Sequence, residues 1–144
     1  MSAPTPDRSG WMSGPLADAP ACPPFPAFTD FELHALDHFA RLFGDQSDAF
    51  REQVETADVV DRINTLVGFY TRLKIDRAKC SPVSLRHRTA HFDVEGIEHG
   101  IGIVLWDTDG DGYLETIEGW TVGENPLEGI ELADLKVVRP TQVG

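Results

Sequence analysis

The chain has 144 residues, of which 41% are hydrophobic and 25% are charged, as in ordinary single-domain globular proteins. Its 24 Asp and Glu residues outnumber 12 Lys and Arg residues, and the net charge of −12 disfavours binding to nucleic acid or to an anionic membrane surface. No apolar run approaches the roughly 20 residues of a membrane-spanning helix, and the first residues lack the pattern of a secretory signal.

The N-terminal part of the chain is rich in proline. Residues 1–28 contain seven of the ten prolines and have no hydrophobic periodicity. Such a composition is typical of extended or disordered segments, so we predict a Pro-rich disordered leader over residues 1–28. The remaining residues, 29–144, are predicted to form a single α+β domain.

Two helices are predicted directly after this leader. Thr29-Asp30-Phe31-Glu32 has the sequence of a capping box, in which the first side chain and the fourth backbone N–H satisfy each other reciprocally. Apolar residues at helical spacing follow, and Gly44 provides a C-terminal stop. A second, shorter helix is predicted from about Ser47 to Ala57.

Beyond Asp58 the period changes to that of strands. The predicted fold is therefore α+β, with two N-terminal helices packed on one face of a four- to five-stranded antiparallel sheet. The strands are predicted at Val59–Ile63, Leu66–Ile75, Arg88–Val94, Ile101–Trp106 and Tyr113–Val122, with a short edge strand at Leu135–Val138.

The charge is concentrated in one region, which we call the acidic block. From Thr89 to Leu135 there are twelve acidic residues and no Lys or Arg, whereas Arg62 to Arg88 contains seven basic residues and one acid. One interpretation is that basic and acidic strands face each other in the sheet, where opposite charges are mildly stabilising. The other is an acidic surface that attracts a basic partner.

Residues 107–118 match the formula of an EF-hand calcium loop, with acids at positions 1, 3, 5 and 12. The candidate ligands for Ca²⁺ are Asp107, Asp109 and Asp111. Both flanking segments read as strands, and a strand rises about 3.3 Å per residue, which would carry Glu118 away from the ion. A polar hairpin turn is the competing interpretation, and calcium binding is kept as the alternative function.

The histidines give a weaker indication of a metal site. His34 and His38 have the i, i+4 spacing of a metal-binding pair, but the sequence places no third ligand beside them. The sequence contains no motif that joins a nucleophile to a base or forms a phosphate-binding loop, so we expect a non-enzymatic protein.

Two stretches resemble a known group of proteins. Residues 67–71 read Val-Gly-Phe-Tyr-Thr, and residues 112–121 read Gly-Tyr-Leu-Glu-Thr-Ile-Glu-Gly-Trp-Thr. With the glycine-containing strand between them, they resemble a group of small uncharacterised bacterial proteins over about residues 54–126. The second strand of that group carries Leu and Tyr where this chain has Ile117 and Trp120. The resemblance implies the fold and implies no activity.

The sequence thus predicts a small acidic protein that binds a protein partner with a basic surface, without a cofactor. The two cysteines form no disulfide framework and suit a reducing compartment, so we expect a cytoplasmic location. A toxin-neutralising immunity protein is one concrete form of this hypothesis; the oligomeric state is left open. The predicted partner-binding residues are Asp93, Glu95, Glu98, Glu115, Glu118 and Trp120.

Overall fold

A computed structural model describes residues 18–85, 88–107 and 110–138. It confirms the predicted α+β class, with two helices preceding a five-stranded antiparallel sheet of order β1-β2-β5-β4-β3. No helix in these ranges is both long enough and apolar enough to cross a membrane. The elements are α1 (Asp30–Leu42), α2 (Ser47–Thr56), β1 (Asp58–Asn64), β2 (Gly68–Lys74), β3 (Thr89–Val94), β4 (Ile97–Trp106) and β5 (Thr116–Trp120).

Helix α1 begins with the predicted capping box. The Thr29 Oγ1 accepts from the Glu32 N–H at 3.1 Å, and Glu32 Oε1 accepts from the Thr29 N–H at 2.8 Å. These bonds satisfy two amides that have no partner within the helix. Helix α2 packs back on α1, with the Phe43 and Phe50 rings 4.7 Å apart.

The hydrophobic core lies between the helices and one face of the sheet. The Phe31 ring of α1 meets the edges of Phe69 and Phe92 at centroid distances of 6.2 and 5.8 Å. Because side chains alternate along a strand, the opposite face carries the intervening residues. We call this opposite surface the outer face. On β4 and β5 it comprises Gly102, Val104, Trp106, Thr116, Glu118 and Trp120.

Strand β5 begins three residues later than predicted because the residues just before it are hydrogen-bonded to Gln53 of α2. The buried Gln53 donates to the carbonyls of Ser81 and Gly112, both at 2.8 Å, and its Oε1 accepts from the Leu114 N–H at 2.9 Å. These bonds use backbone groups that a strand would use for pairing. The segment 110–115 is therefore a fixed loop.

The C-terminal edge strand is shorter than predicted. Val137 forms a single antiparallel bridge with Val94 at the edge of β3. The Glu95 N–H donates to the Lys136 carbonyl, and the Val138 N–H donates to the Asp93 carbonyl, both at 2.9 Å. This segment therefore covers one end of the β3 edge without forming a full strand.

Residues 20–27, which we call the strap, lie along the edge of β1. The Cys22 N–H donates to the Arg62 carbonyl at 2.7 Å, and the Val59 N–H donates to the Pro26 carbonyl at 2.8 Å. The contacts of the domain thus begin before Thr29, within the segment predicted as a disordered leader. Residues 1–17 of that leader lie outside the described residues.

A fully buried ion pair joins the strap to the sheet and to α1. Arg62 donates from Nε to Glu32 Oε2 at 2.9 Å and from Nη2 to Glu32 Oε1 at 2.6 Å. Its Nη1 donates to the carbonyls of Cys22 and Pro24 at 2.9 and 2.8 Å. The Thr71 hydroxyl of β2 also donates to Glu32. Each buried charge is thereby surrounded by partners, as charges inside a protein require.

Replacing Arg62 with Met should lower the free energy of unfolding by about 3–5 kcal/mol, because Glu32 would stay buried without its counter-ion. Urea unfolding measures this loss, and limited proteolysis should then cut within residues 20–27. The matched control is Arg41→Met, which removes an exposed pair with Asp37 and should cost less than about 1 kcal/mol. Equal losses in the two variants would contradict the role given to Arg62.

Candidate functional site

The outer face exposes two tryptophans on neighbouring strands. Trp106 is 42% exposed at the end of β4, and Trp120 is 43% exposed at the end of β5. In the register of the two strands, Trp106 lies opposite Thr116, and Trp120 lies opposite Gly102. The backbone positions of the two tryptophans are thus four residues apart along the sheet, about 13 Å at the usual strand rise.

Trp106 is held in place by Glu118. Its indole Nε1–H donates to Glu118 Oε1 at 2.9 Å. Glu118 lies opposite Tyr70 on β2 and opposite Val104 on β4. Burial and, to a lesser extent, the negative charge of Glu118 raise the pKa of the Tyr70 hydroxyl above its ordinary value. The middle of the face therefore carries a carboxylate among aromatic groups.

Trp120 lies flat across β4, and a glycine makes this possible. A Cβ added to Gly102 would overlap with the indole carbons and nitrogen of Trp120. On the far side, the His91 ring of β3 is 6.1 Å from the Trp120 ring, and its Nε2 is 2.8 Å from the His99 carbonyl oxygen. The indole is thus confined by its neighbours while much of its surface stays in solvent.

Further exposed apolar side chains continue the face at one end of the sheet. We call Leu66, Val67 and Val122 the apolar tip; all three are more than one-third exposed. They adjoin Trp120, because Gly68 lies opposite it and the Thr121 N–H donates to the Val67 carbonyl at 2.9 Å. Leu66 has a φ of 73°, a left-handed conformation that is uncommon for a branched residue.

The predicted partner-binding residues fall in three places. Glu118 and Trp120 share the outer face. Asp93, Glu95 and Glu98 are exposed around the β3–β4 hairpin, at the same end as Trp120. At the other end, the N–H of Glu115 donates to the Trp106 carbonyl. The structure thus brings the first two together and places the other four around the margin of the sheet.

Trp106 and His91 were not among the predicted binding residues. The sequence interpretation placed most sheet aromatics in the core. However, Ile103 and Leu105 are both fully buried, and strand alternation then turns Trp106 to the opposite face. The position of His91 beside Trp120 depends on the pairing of β3 with β4, for which the sequence gives no local signal.

Charge pairing between the basic segment and the acidic block is seen between two loops, where Arg77 forms an ion pair with Asp111 and lies over the Tyr113 ring at 4.5 Å. Two other basic residues of this segment have partners outside the acidic block. Arg62 pairs with Glu32 of α1, and Lys79 lies 3.9 Å from Asp76 in its own loop. The basic strand β2 also lies directly beside β5 of the acidic block, as the first interpretation expects, with Arg72 opposite Thr116.

The calcium-like loop uses its carboxylates for internal contacts. Asp107 Oδ2 accepts from the Gly112 N–H at 2.9 Å, and Asp111 Oδ1 accepts from the Tyr113 N–H at 3.1 Å while its other oxygen pairs with Arg77. Glu118 lies on β5 and accepts from Trp106. Asp109 lies outside the described residues, within which no three acidic, His or Cys side chains are grouped as metal ligands. Calcium binding thus stays a prediction from sequence alone.

The His34 and His38 pair of α1 is engaged in packing. Both rings meet the edge of Phe92, at centroid distances of 5.7 and 5.4 Å. This geometry agrees with the interpretation of the pair as ordinary histidines.

Arg77→Gln should raise the pKa of Asp111, which the Tyr113 N–H and then Arg77 hold below its ordinary value. The pKa should stay partly lowered, because the Tyr113 hydrogen bond remains. Since the folded-state pKa is lowered, this contribution to stability is complete above the unfolded-state pKa and is lost as the pH falls through the folded-state value. Carboxyl ¹³C NMR titration measures the change; Lys79→Gln is the control, and an unchanged Asp111 titration in Arg77→Gln would refute the assignment.

Gly102→Ala should displace Trp120 from β4, because the new methyl group occupies the space of the indole. The Trp120 Nε1–H signal in a ¹H–¹⁵N NMR spectrum should shift, and acrylamide quenching of its fluorescence should increase. The fold should persist, with a loss of less than about 3 kcal/mol. Thr89→Ala, on the same face, serves as the control; a Trp120 signal unchanged by Gly102→Ala would disprove the packing described.

No family model, curated protein or solved structure matches this chain. The resemblance to a group of small bacterial proteins therefore stays a prediction, and the candidate site is defined by its own geometry.

Proposed function

We propose that the protein is a non-enzymatic cytoplasmic binding module whose outer face and apolar tip dock a protein with a basic surface. The observation that carries the proposal is the pair Trp106 and Trp120, both more than 40% exposed on one face and both confined by neighbours. Large aromatic side chains with little remaining freedom bind at a low entropic cost, and they are enriched at the centres of protein interfaces.

The distribution of charge supports a basic partner. The acidic block contains no Lys or Arg, and three of its exposed acids, Asp93, Glu95 and Glu98, lie at the end of the sheet next to Trp120. Acidic groups around an apolar surface attract a positively charged protein and orient its approach. The net charge of −12 also disfavours a second copy of this chain as the occupant.

The helix side of the molecule supports binding over catalysis. A shallow cavity of about 240 Å³ between α1 and α2 is lined by four apolar residues and by Asp37, Arg51 and Glu55, and Asp37 forms an ion pair with Arg51. The hydrogen bond from Arg51, together with Arg41, lowers the pKa of Asp37 and keeps it ionised at neutral pH. Such a carboxylate is a poor general acid or base near pH 7.

A toxin-neutralising immunity protein is one form of this function. An acidic surface with exposed aromatic groups is complementary to a basic cleft, which it would block by occupation. Fixed charges would speed the association, and the indoles would supply the buried apolar contact.

The test is capture of a partner by the immobilised full chain from a lysate of the cells in which the protein naturally occurs. Wild type is compared with Trp106→Ala/Trp120→Ala and with a control, Leu33→Ala, whose side chain is 46% exposed on α1. We expect a basic protein that wild type and the control retain and the double variant loses. It should be bound at about 0.1 M salt and released near 1 M, where screening shortens the Debye length from about 10 to about 3 Å.

Two results would overturn the proposal. One is equal capture by wild type and by the double variant. The other is the absence of any basic protein among those retained at low salt. Circular dichroism of each variant establishes that lost capture does not come from unfolding.

A further inference from the structure

We propose that Glu118, Trp106 and Trp120 form a receptor for one arginine side chain of the partner. The guanidinium would pair with the Glu118 carboxylate and stack on an indole. This inference rests on the proposed function and specifies the chemistry that the outer face recognises.

Glu118 has the position that such a receptor needs and, among the described residues, an oxygen that accepts no hydrogen bond. It lies on the central strand β5, and its cross-strand neighbours on the face are Tyr70 and Val104, neither of them basic. Its Oε1 accepts from Trp106, and no described residue donates a hydrogen bond to its Oε2. Arg72 lies on the same face, opposite Thr116, and is a diagonal neighbour of Glu118. A carboxylate with an open oxygen among aromatic groups attracts an external cation more strongly than one surrounded by water.

The aromatic groups favour a guanidinium over an ammonium group. Along β5, Glu118 is two residues before Trp120. Its partner on β4, Val104, is two residues before Trp106. The backbone of Glu118 is thus about 7 Å along the sheet from the backbone of either tryptophan. A cation that reaches Glu118 is therefore within range of aromatic surface on both sides. The guanidinium is planar and weakly hydrated, and it can pair with a carboxylate while it stacks on an aromatic ring. An ammonium group is strongly hydrated and has no plane to stack.

The indole positions are already set before a ligand arrives. The Trp106 ring is oriented by its bond to Glu118, and the Trp120 ring by its contacts with Gly102 and His91. Binding would therefore require little ordering of side chains, which lowers its entropic cost. The surrounding acidic block repels anions and contains no Lys or Arg.

The test is an NMR titration of the full chain with three short peptides, acetyl-Gly-X-Gly-amide, in which X is arginine, lysine or citrulline. The readouts are the Nε1–H signals of Trp106 and Trp120, assigned with Trp→Phe variants. We expect saturable shifts of both signals with the arginine peptide. The lysine and citrulline peptides should require at least about ten times the concentration.

Two matched variants separate a specific receptor from general charge attraction. Glu118→Gln should weaken arginine binding at least about tenfold. Glu52→Gln removes the same charge from an exposed position on α2 and should leave binding unchanged. The Tyr70 hydroxyl provides an independent check, because its pKa should fall towards the ordinary value in Glu118→Gln if the variant is folded.

The outcomes decide the proposal. Equal effects of arginine and citrulline, equal effects of arginine and lysine, or equal effects of the two Glu variants would each overturn it. Failure here would not reject the docking surface: if lysate capture still depended on Trp106 and Trp120, the surface would stand and only the arginine receptor would be lost. If capture failed and the arginine peptide still bound, the arginine receptor would stand and the docking surface would be rejected.

Discussion

The buried ion pair between Arg62 and Glu32 is the interaction on which the rest of the structure depends. Glu32 caps α1, Arg62 belongs to the edge strand β1, and Thr71 joins them from β2. The same guanidinium binds the carbonyls of Cys22 and Pro24. One pair of charges thus fixes the start of a helix, two strands and the N-terminal strap. Because an unpaired charge at this depth is costly, these elements are expected to form together.

The two faces of the sheet have different roles as a consequence of this arrangement. The helices cover one face, and its side chains form the core with α1. The helices do not reach the outer face, where glycine lets one indole lie on the backbone of a neighbouring strand. The acids that give the chain its charge lie around this second face and in the segments after it. Core stability and the candidate surface thus use different residues of the same strands.

Local signals in the sequence predicted the helices well. The capping box at Thr29 and Glu32 involves residues three apart, so the sequence contains all of its parts. The start of β5 was predicted too early because it depends on Gln53, which lies about 60 residues away along the chain. Likewise, Arg62 belonged to an apparent run of bases, and only the fold pairs it with α1.

The candidate surface was predictable in part. Glu118 and Trp120 were identified from charge and composition, and the outward direction of Trp106 follows from the buried residues that precede it. The contact of Trp120 with His91 and Gly102 required the strand order, which alternation does not determine. Asp93, Glu95 and Glu98 lie at the margin because they belong to the part of the β3–β4 hairpin that extends beyond the end of β5, and composition alone does not show this extension.

The coverage of the sheet edges limits how another chain can engage this protein. The strap bonds to β1 at Val59 and Arg62, and the C-terminal segment bonds to Asp93 and Glu95 at the end of β3. Backbone groups that would otherwise pair with an added strand are therefore occupied by the chain itself, a common protection against edge-to-edge aggregation. Extension of the sheet by a partner's strand at these positions would first have to displace one of the two segments. Recognition across the open face, through side chains, requires no such displacement.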